Sequence, residues 1–450
     1  MRGARAGVWR TPGGPARPAA ALSGPGGRRR GGLGAGRAVA PEVDGGPPRP
    51  PAAAEEEPAG PGGGGRASGT GREWGLWPAL PLQPGAERAT TLEELVPGKI
   101  FALEQLYGTL DVLVNVRMTV VVLREGGLFL NNPVAPTGEC MRMLRGLEAR
   151  FGAVKYVVLS TTAVEHKVYL GPMARQFPEA EVFAAPKQWS IPPLPNRFLG
   201  FPARTQFLGE DATGMPWEGE FDQAILDIPL GVGPYLEYAF FHKPTRTLLV
   251  TDVLVRVPRD PPRVNAEHGL AALLNRAKND SKDVVPDTPE GRRIGWQKTV
   301  LFAFFLQPAC VDFDVTDVPG FLIWNEGWES SFDAIAGQLL VPPIVQVLCI
   351  SKGKRKTRAW VDRICKWNFQ RIVSAHLDGV VPATPSDVRV AFDFLRDEGK
   401  ETVLEKALAS LAGNFAQQKT GVVFPEAEMG ALNGIDSLVQ ASGLAPPGDE

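Results

Sequence analysis

Histidine and cysteine, two of the side chains that most often bind transition metals, are scarce in this sequence. Its 450 residues include four of each. The cysteines, Cys140, Cys310, Cys349 and Cys365, show no paired spacing, which excludes a zinc-ribbon motif and a disulfide framework. Four histidines are also too few for a dinuclear zinc site that takes about five imidazoles besides its carboxylates. The sequence therefore leaves room for a single metal ion.

Long apolar runs are missing as well. The longest candidates, residues 299–306 and 341–350, are far too short to cross a bilayer, so we expect no transmembrane segment. Acidic residues are absent from residues 1–40, which hold eight arginines. Without those arginines the formal net charge changes from −2 to about −10, which disfavours a nucleic-acid partner for the folded part.

The N-terminal 90 residues are rich in glycine, proline, alanine and arginine and have almost no apolar periodicity. Such a segment cannot bury enough apolar surface to offset the entropy of ordering it. Its arginine-rich start has no acidic residue before Glu42 and no apolar core of a secretory signal, which favours an organelle transit peptide. A disordered tail without a targeting role is the alternative.

Strand periodicity is clearest in residues 111–123. Apolar residues alternate there with polar ones such as Arg117, which predicts a half-buried strand. Thr137 and Gly152 are expected to bound a helix, and residues 256–290 to form a loop with one short helix. Further strands are predicted at residues 128–130, 155–160, 181–185, 236–241, 247–250 and 369–374, and further helices at 168–177, 294–305, 360–367 and after a cap at 386–387. This alternation predicts an α/β layered fold.

Polar residues follow three of the predicted strands. Glu165 and His166 come after a short loop, and Asp252 and His376 directly follow two later strands. Loops at one edge of an α/β sheet converge, so these residues can meet in space. Carboxylates and imidazoles bind zinc, iron and manganese. The four residues are therefore predicted to bind one metal ion, with Asp252 alternatively serving as the base that orients an attacking water.

The loop before Glu165 resembles the metal-binding loop of the metallo-β-lactamase fold, which reads His-x-His-x-Asp-His. Its four ligand positions are occupied here, in order, by Thr161, Ala163, Glu165 and His166. Residues 248–252 resemble the strand end that carries the bridging aspartate of that fold, which corresponds to Asp252. The last histidine of the fold corresponds to His376.

The departures from that pattern are selective. Alanine has no donor atom and a threonine hydroxyl is a poor zinc ligand, and the turn at residues 229–233 lacks the usual middle histidine. The resemblance thus implies that the first metal position is lost, whereas the second keeps Glu165, His166, Asp252 and His376. Asn132 could orient a ligand by hydrogen bonding. A relic pocket without metal is the alternative.

Residues 74–398 also resemble a family of uncharacterised proteins found in cyanobacteria, algae and plants. The segments that carry the resemblance are residues 77–81, 115–119, 132–137, 165–167, 241–243, 245–252 and 375–376. The resemblance implies an αββα metallo-β-lactamase-like sandwich of the α/β class, and a chloroplast location for the eukaryotic members. We therefore expect a disordered transit peptide and linker (1–72), a metallo-β-lactamase-like domain (73–400), and a C-terminal helix with a disordered tail (401–450).

Two functions fit these observations. The first is a mononuclear metal-dependent hydrolase of a small-molecule substrate. The second is a non-catalytic binding or scaffold protein that has lost the metal site, in which Arg117 could stand in for the ion. In the second case tryptophans could line a pocket or an interface. They are Trp189, Trp217, Trp296, Trp324, Trp328, Trp360 and Trp367.

Overall fold

Strands of the described chain belong mainly to two sheets. The computed structural model describes residues 70–74, 82–109, 111–190, 192–231, 233–280, 282–314, 321–396, 421–443 and 445–447. The predicted transit peptide and linker therefore lie outside the described residues, apart from their last three positions.

The first sheet has eight strands. In chain order these are β1 (Leu82–Gln83), β2 (Thr91–Val96), β3 (Ile100–Thr109), β4 (Val112–Val122), β5 (Leu128–Asn131), β6 (Val154–Leu159), β7 (Glu181–Ala184) and β8 (Gln206–Phe207). Their spatial order is β1-β3-β4-β5-β6-β7-β8, and β2 also pairs with β3. Strands β5 to β8 run parallel to one another, whereas the earlier pairs are antiparallel.

The second sheet and two small sheets are built from the later strands. These strands are β9 (Phe221–Ile228), β10 (Tyr235–His242), β11 (Thr247–Leu249), β12 (Val255–Arg256), β13 (Val311–Asp314), β14 (Phe321–Trp324), β15 (Leu339–Leu340), β16 (Arg371–Val373) and β17 (Val380–Pro382). Five of them form the sheet in the order β17-β16-β11-β10-β9. The pairs β12–β15 and β13–β14 form two small antiparallel sheets.

The described part of the chain contains ten α-helices, four of which cover the outer faces of the two large sheets. The ten helices are α1 (Gly138–Phe151), α2 (Val164–Gln176), α3 (Arg263–His268), α4 (Leu270–Ala277), α5 (Pro289–Phe305), α6 (Trp328–Asp333), α7 (Pro343–Leu348), α8 (Lys354–Ile364), α9 (Pro385–Ala391) and α10 (Glu426–Ala441). Short 3-10 helices follow α7 and α9 at Ile350–Lys352 and Asp393–Leu395. None of the described helices combines the length and the apolar character required to cross a bilayer.

The two large sheets pack face to face through an aromatic layer. Phe129 of β5 stacks on Phe221 of β9 with ring centroids 4.8 Å apart, and both belong to one apolar cluster between the sheets. The apolar stripes of α1 and α2 pack on the outer face of the first sheet. Those of α8 and α9 pack on the outer face of the second sheet. This is the αββα sandwich of the α/β class that the sequence predicted, and the fold class is confirmed.

A third apolar cluster lies around α5. It contains Trp296 and Phe305 of α5 together with Leu432 of α10. Residues 256–290, predicted as a loop with one short helix, contain both α3 and α4. A C-terminal helix with a disordered tail was expected within residues 401–450, of which residues 421–443 and 445–447 are described. The helix that the structure describes in this region is α10.

Helix ends follow local capping chemistry. The Thr137 hydroxyl accepts a hydrogen bond from the Cys140 backbone N–H at 3.2 Å, as predicted for the start of α1. Helix α2 begins at Val164, earlier than predicted. Its N-cap residue, Ala163, has no side-chain oxygen, so the sequence contains no capping signal for this start. The predicted cap of α9 at residues 386–387 is wrong by two positions. Thr384 is the N-cap, and Asp387 completes a capping box with it.

Strand β4 differs from the prediction in its burial. Both of its faces are buried, and its polar residues Asn115, Arg117 and Thr119 are 0%, 1% and 4% exposed. The loop at residues 374–378 covers this polar face and supplies backbone partners to it. An alternating pattern predicts which residues share a face, but it cannot show that a distant loop covers the polar one. The prediction of a half-buried strand was therefore wrong.

Candidate metal centre

Two of the candidate ligands leave the second sheet side by side. Strands β11 and β16 pair in parallel, with Leu249 opposite Val373. Asp252 and His376 each lie three residues beyond this pair, so the parallel register places their loops next to each other. Glu165 reaches the same place from the first turn of α2. The sheet register thus explains why residues more than a hundred positions apart meet.

Glu165, Asp252 and His376 form a cluster with metal-binding reach, here called the metal triad. Each offers one ligand atom, and these atoms all lie within 4.8 Å of one another. His376 Nε2 is 3.0 Å from Asp252 Oδ1 and 3.9 Å from Glu165 Oε1. The three side chains are 14% to 18% exposed, so the cluster is reachable from solvent.

A backbone carbonyl orients the His376 ring. Its Nδ1 lies 2.9 Å from the Asn115 carbonyl oxygen, which can only accept a hydrogen bond, so Nδ1 carries the proton and donates it. Nε2 therefore faces the two carboxylates. A histidine whose other ring nitrogen donates to a carbonyl is the usual arrangement of a metal-binding imidazole.

His166 lies beside the metal triad and is completely buried. In the described part of the chain neither ring nitrogen makes a well-formed hydrogen bond, although the backbone of Asn132 and Pro133 lies near the ring. Its ring centroid is 5.7 Å from that of His376. Burial and the nearby His376 lower the pKa of His166 to about 3. It is therefore a neutral imidazole at physiological pH, the form that binds metal ions.

Opposing charges perturb the metal triad. Burial, and then the charge of Asp252, raise the pKa of Glu165 to about 7. Burial alone would raise the pKa of Asp252, but the hydrogen bond from His376 and its charge outweigh this and lower it. Burial opposes protonation of His376, yet its hydrogen bond to Asp252 raises the His376 pKa. Glu165 and Asp252 share His376 as their cationic partner, so a further positive charge at this point would stabilise both carboxylates.

Glu237 organises the loop that carries Asp252, and the sequence analysis missed it. Its buried carboxylate accepts hydrogen bonds from the backbone N–H groups of Thr251, Asp252 and Val253 at 2.7, 3.1 and 3.0 Å. The Tyr235 hydroxyl donates to the same carboxylate at 2.6 Å. Burial, and then the charge of Asp252, raise the pKa of Glu237 to about 8. The available signal was an acidic residue within an otherwise apolar strand.

Asn132 connects three strand ends near the metal triad. Its backbone is left-handed, with φ 56°, and its side-chain amide donates to the Thr251 hydroxyl at 3.0 Å. Its side-chain oxygen accepts from the Ser160 backbone N–H and hydroxyl at 2.9 and 2.8 Å. Asn132 thus ties β5 and β6 to the residue before Asp252, and its side chain makes none of these bonds with a candidate ligand.

Arg117 does not occupy the metal triad. Its guanidinium pairs with Glu104 and donates to the carbonyl oxygens of Ser374, Leu377 and Asp378. These partners place it beneath the loop that carries His376. In the described part of the chain, the ion pairs of Glu165 and Asp252 are with His376. The arrangement proposed for Arg117 in the scaffold hypothesis is therefore not seen.

The positions that correspond to missing histidines offer no replacement ligand. The Thr161 hydroxyl accepts the backbone N–H of Ala163 at 3.1 Å, and Gly231 lies in an exposed turn. Most of the candidate pocket tryptophans pack in the apolar clusters. Trp217, Trp296, Trp324, Trp328 and Trp360 are all less than 8% exposed.

Solved structures with a similar chain path include metal proteins, at low identity. The DIM-1 metallo-β-lactamase is 9% identical, with 69% of this chain and 100% of that chain covered and a TM-score of 0.35. The Flv1 flavodiiron core from Synechocystis sp. is 9% identical, covering 68% and 61% of the two chains, with a TM-score of 0.36. A mutant flavo di-iron protein from Thermotoga maritima is 11% identical, also covering 68% and 61% of the two chains, with a TM-score of 0.37.

The fold assignment stands on the sheets and helices themselves. No protein of curated function matches the sequence significantly. A family described as a domain of unknown function, DUF4336, matches residues 97–394, a range that contains the metal triad and His166. Since this match spans well over half of the sequence, the chain belongs to the DUF4336 family.

Proposed function

We propose that this protein binds one zinc, iron or manganese ion at the metal triad and hydrolyses a small-molecule substrate there. The observation that carries the proposal is the convergence of Glu165, Asp252 and His376 within 4.8 Å. Asp252 is the residue that we propose to orient the attacking water.

The side chains fit a metal ion chemically. Two carboxylates and an imidazole are a donor set suited to zinc, iron and manganese. His166 adds a neutral, fully buried imidazole whose nitrogens make no well-formed hydrogen bond in the described part of the chain, and such a buried polar group is costly unless something binds it. Glu165, Asp252 and His376 would hold the ion, with His166 as a fourth ligand. The ion would supply Lewis acidity to polarise the substrate.

The rest of the site positions these groups. The Asn115 carbonyl keeps the His376 Nε2 directed at the carboxylates, and Glu237 keeps the Asp252 loop in one conformation through three backbone N–H groups. A site whose ligands are held by buried hydrogen bonds loses little entropy when it binds an ion. The partial exposure of the metal triad leaves an approach for substrate.

Metal content tests the proposal directly. We expect near-stoichiometric zinc, iron or manganese by elemental analysis of the purified full chain, and loss of it in His376→Ala and in His166→Ala/His376→Ala. His268→Ala is the matched control, because His268 lies outside the site at the end of α3. A wild-type protein that stays metal-free after incubation with all three ions would refute the metal site. A metal-loaded protein inactive on ester, lactam and phosphoester panels would refute the hydrolase assignment alone.

We also propose that residues 1–72 direct the protein to a chloroplast. The support is the eight arginines without an acidic residue in residues 1–40, together with the resemblance to plastid members of the family. Residues 1–72 fused to a fluorescent protein should accumulate in chloroplasts of plant cells, whereas a fusion of residues 41–72 should stay in the cytosol. A cytosolic signal from the first fusion would contradict the assignment.

A further inference from the structure

Among the residues that the structure describes, Arg88 is a buried cation without an anionic partner. Its side chain is 0% exposed, and Nη1 donates to the Leu106 carbonyl oxygen at 2.7 Å. Nε and Nη2 are buried and have no hydrogen-bond partner among these residues. No carboxylate in the described part of the chain forms an ion pair with it. An arginine stays protonated when it is buried, so an anion is required to compensate the charge of this guanidinium.

Two tyrosine rings flank the guanidinium. Its central carbon lies 5.6 Å from the ring centroid of Tyr169 and 5.9 Å from that of Tyr107. Cation–π contacts at these distances offset part of the cost of burying the charge. They leave the N–H groups at the edge of the guanidinium without acceptors, and those groups require hydrogen bonds of their own. The aromatic contacts therefore explain the burial only in part.

Tyr169 adds a second unpartnered group at the same place. The side chain is 1% exposed, and its buried hydroxyl has no hydrogen-bond partner within the described ranges. Tyr169 follows Glu165 by one turn of α2, so both project from the same face of that helix. Tyr107 is only partly buried and is the member of this group that reaches solvent. Arg88, Tyr107 and Tyr169 thus form one group, which includes a residue from the α2 face that carries Glu165.

We propose that Arg88 and Tyr169 bind an oxyanion, the carboxylate or phosphate group of a small molecule. Nε and Nη2 form one edge of the planar guanidinium, and two parallel N–H groups on one edge match two oxygens of a carboxylate or a phosphate. The Tyr169 hydroxyl donates a third hydrogen bond. The anion also neutralises a charge that the protein leaves uncompensated.

The proposed anion site also indicates a class of substrate, an inference that rests on the proposed function. A substrate whose anionic group binds Arg88 and Tyr169 would place the remainder of the molecule along the α2 face toward Glu165. The substrate class is then a small carboxylic acid or phosphate ester with a hydrolysable bond. Anion binding itself does not depend on the metal, so an experiment can refute the oxyanion site or the metal-dependent hydrolysis without refuting the other.

Calorimetric titration of the EDTA-treated full chain tests the anion site without the metal. Acetate and inorganic phosphate are titrated separately at constant ionic strength, with chloride as the control anion. We expect binding of at least one oxyanion and none of chloride. Binding of acetate alone indicates a carboxylate ligand, binding of phosphate alone indicates a phosphate ester, and binding of both supports the shared oxyanion chemistry.

Tyr169→Phe is the decisive variant, because it keeps the ring and removes only an unpartnered hydroxyl. Loss of one hydrogen bond should weaken oxyanion binding roughly fivefold, with an unchanged melting temperature. Arg88→Lys, which keeps the charge but loses the paired donors, should weaken it by about tenfold or more. Tyr156→Phe, between the sheets, is the matched control. Absence of oxyanion binding in the wild type, or unchanged affinity in Tyr169→Phe, would overturn the proposal.

Discussion

A single buried carboxylate holds the loop that carries Asp252. Glu237 accepts three backbone N–H groups and the Tyr235 hydroxyl, so four donors converge on one side chain. In a buried site each of these donors would be left without an acceptor if Glu237 were removed, at a cost of about 1–3 kcal/mol per unsatisfied group. Because the bonds reach the N–H of Asp252 itself, Glu237 acts on the candidate ligand through the backbone, as a positioning residue.

Glu237→Gln should therefore weaken the metal site without removing a ligand. The amide keeps the size of the side chain but presents an NH₂ group to backbone donors, which breaks at least one hydrogen bond and should cost about 1–3 kcal/mol of unfolding free energy. We expect metal affinity to fall about tenfold, a typical result of losing such support. Urea denaturation and a competition assay with a chelating dye measure the two effects.

Glu218→Gln is the control, since Glu218 is exposed on a turn away from the site. If Glu237→Gln binds metal as tightly as this control does, the positioning role is wrong. A loss of stability with unchanged metal affinity would show that Glu237 supports only the fold.

At the scale of elements, Lys298 joins α5 to the segment after α4. Its ammonium donates to the carbonyl oxygens of Ala277 and Lys278 at 3.0 Å and to the Asn279 side-chain oxygen at 2.8 Å. It also lies 4.8 Å from the ring centroid of Trp324 and 5.2 Å from that of Trp328. The side chain is completely buried, so its charge is retained only because these groups replace water.

Lys298 should make stability depend on pH in the alkaline range. Burial lowers its pKa from 10.5 to about 8, so the unfolded chain binds more protons between these values. The free energy of unfolding should therefore rise from about pH 8 to about pH 10.5, by a few kcal/mol at most. Urea denaturation across this range should show the rise in the wild type and a smaller one in Lys298→Met.

Lys278→Met controls for removal of a positive charge near the same segment, because the Lys278 side chain is only partly buried. Its pH dependence should equal that of the wild type. Identical slopes in the wild type and Lys298→Met would show that Lys298 titrates normally in the folded protein.

For the whole molecule, the family match ends at residue 394, but the apolar cluster around α5 does not. Leu432 of α10 is completely buried in that cluster, and Glu428 accepts hydrogen bonds from Ser331 and from the Ala309 backbone. Lys352 forms an ion pair with Asp436 at 2.6 Å, with side chains only 1% and 11% exposed. The C-terminal helix is thus part of the folded domain.

Asp436→Ala should destabilise the protein by about 3–5 kcal/mol, because it leaves the Lys352 ammonium buried without a partner. Ser437→Ala, on the exposed side of the same helix, should change stability by less than about 0.5 kcal/mol. Urea denaturation followed by tryptophan fluorescence compares them. Equal midpoints for the two variants would mean that α10 does not dock in solution.

Local patterns were sufficient to predict several of the elements and the layered fold. Alternation identified β4, the Thr137 cap identified the start of α1, and polar residues at strand ends singled out Glu165, Asp252 and His376. Each of these signals depends on residues close in sequence, since periodicity and capping are local properties of the backbone. Whether the metal triad binds an ion remains a prediction.

The tertiary structure decided the properties that depend on distant residues. The sequence by itself determined the α/β layering, the acidic folded part and the candidate ligands. Only the folded chain showed that a loop buries the polar face of β4, that Glu237 holds the Asp252 loop, and that Arg88 has no anionic partner among the described residues. A sequence pattern specifies which side chains share a face, whereas burial and pairing depend on what the rest of the chain places against that face.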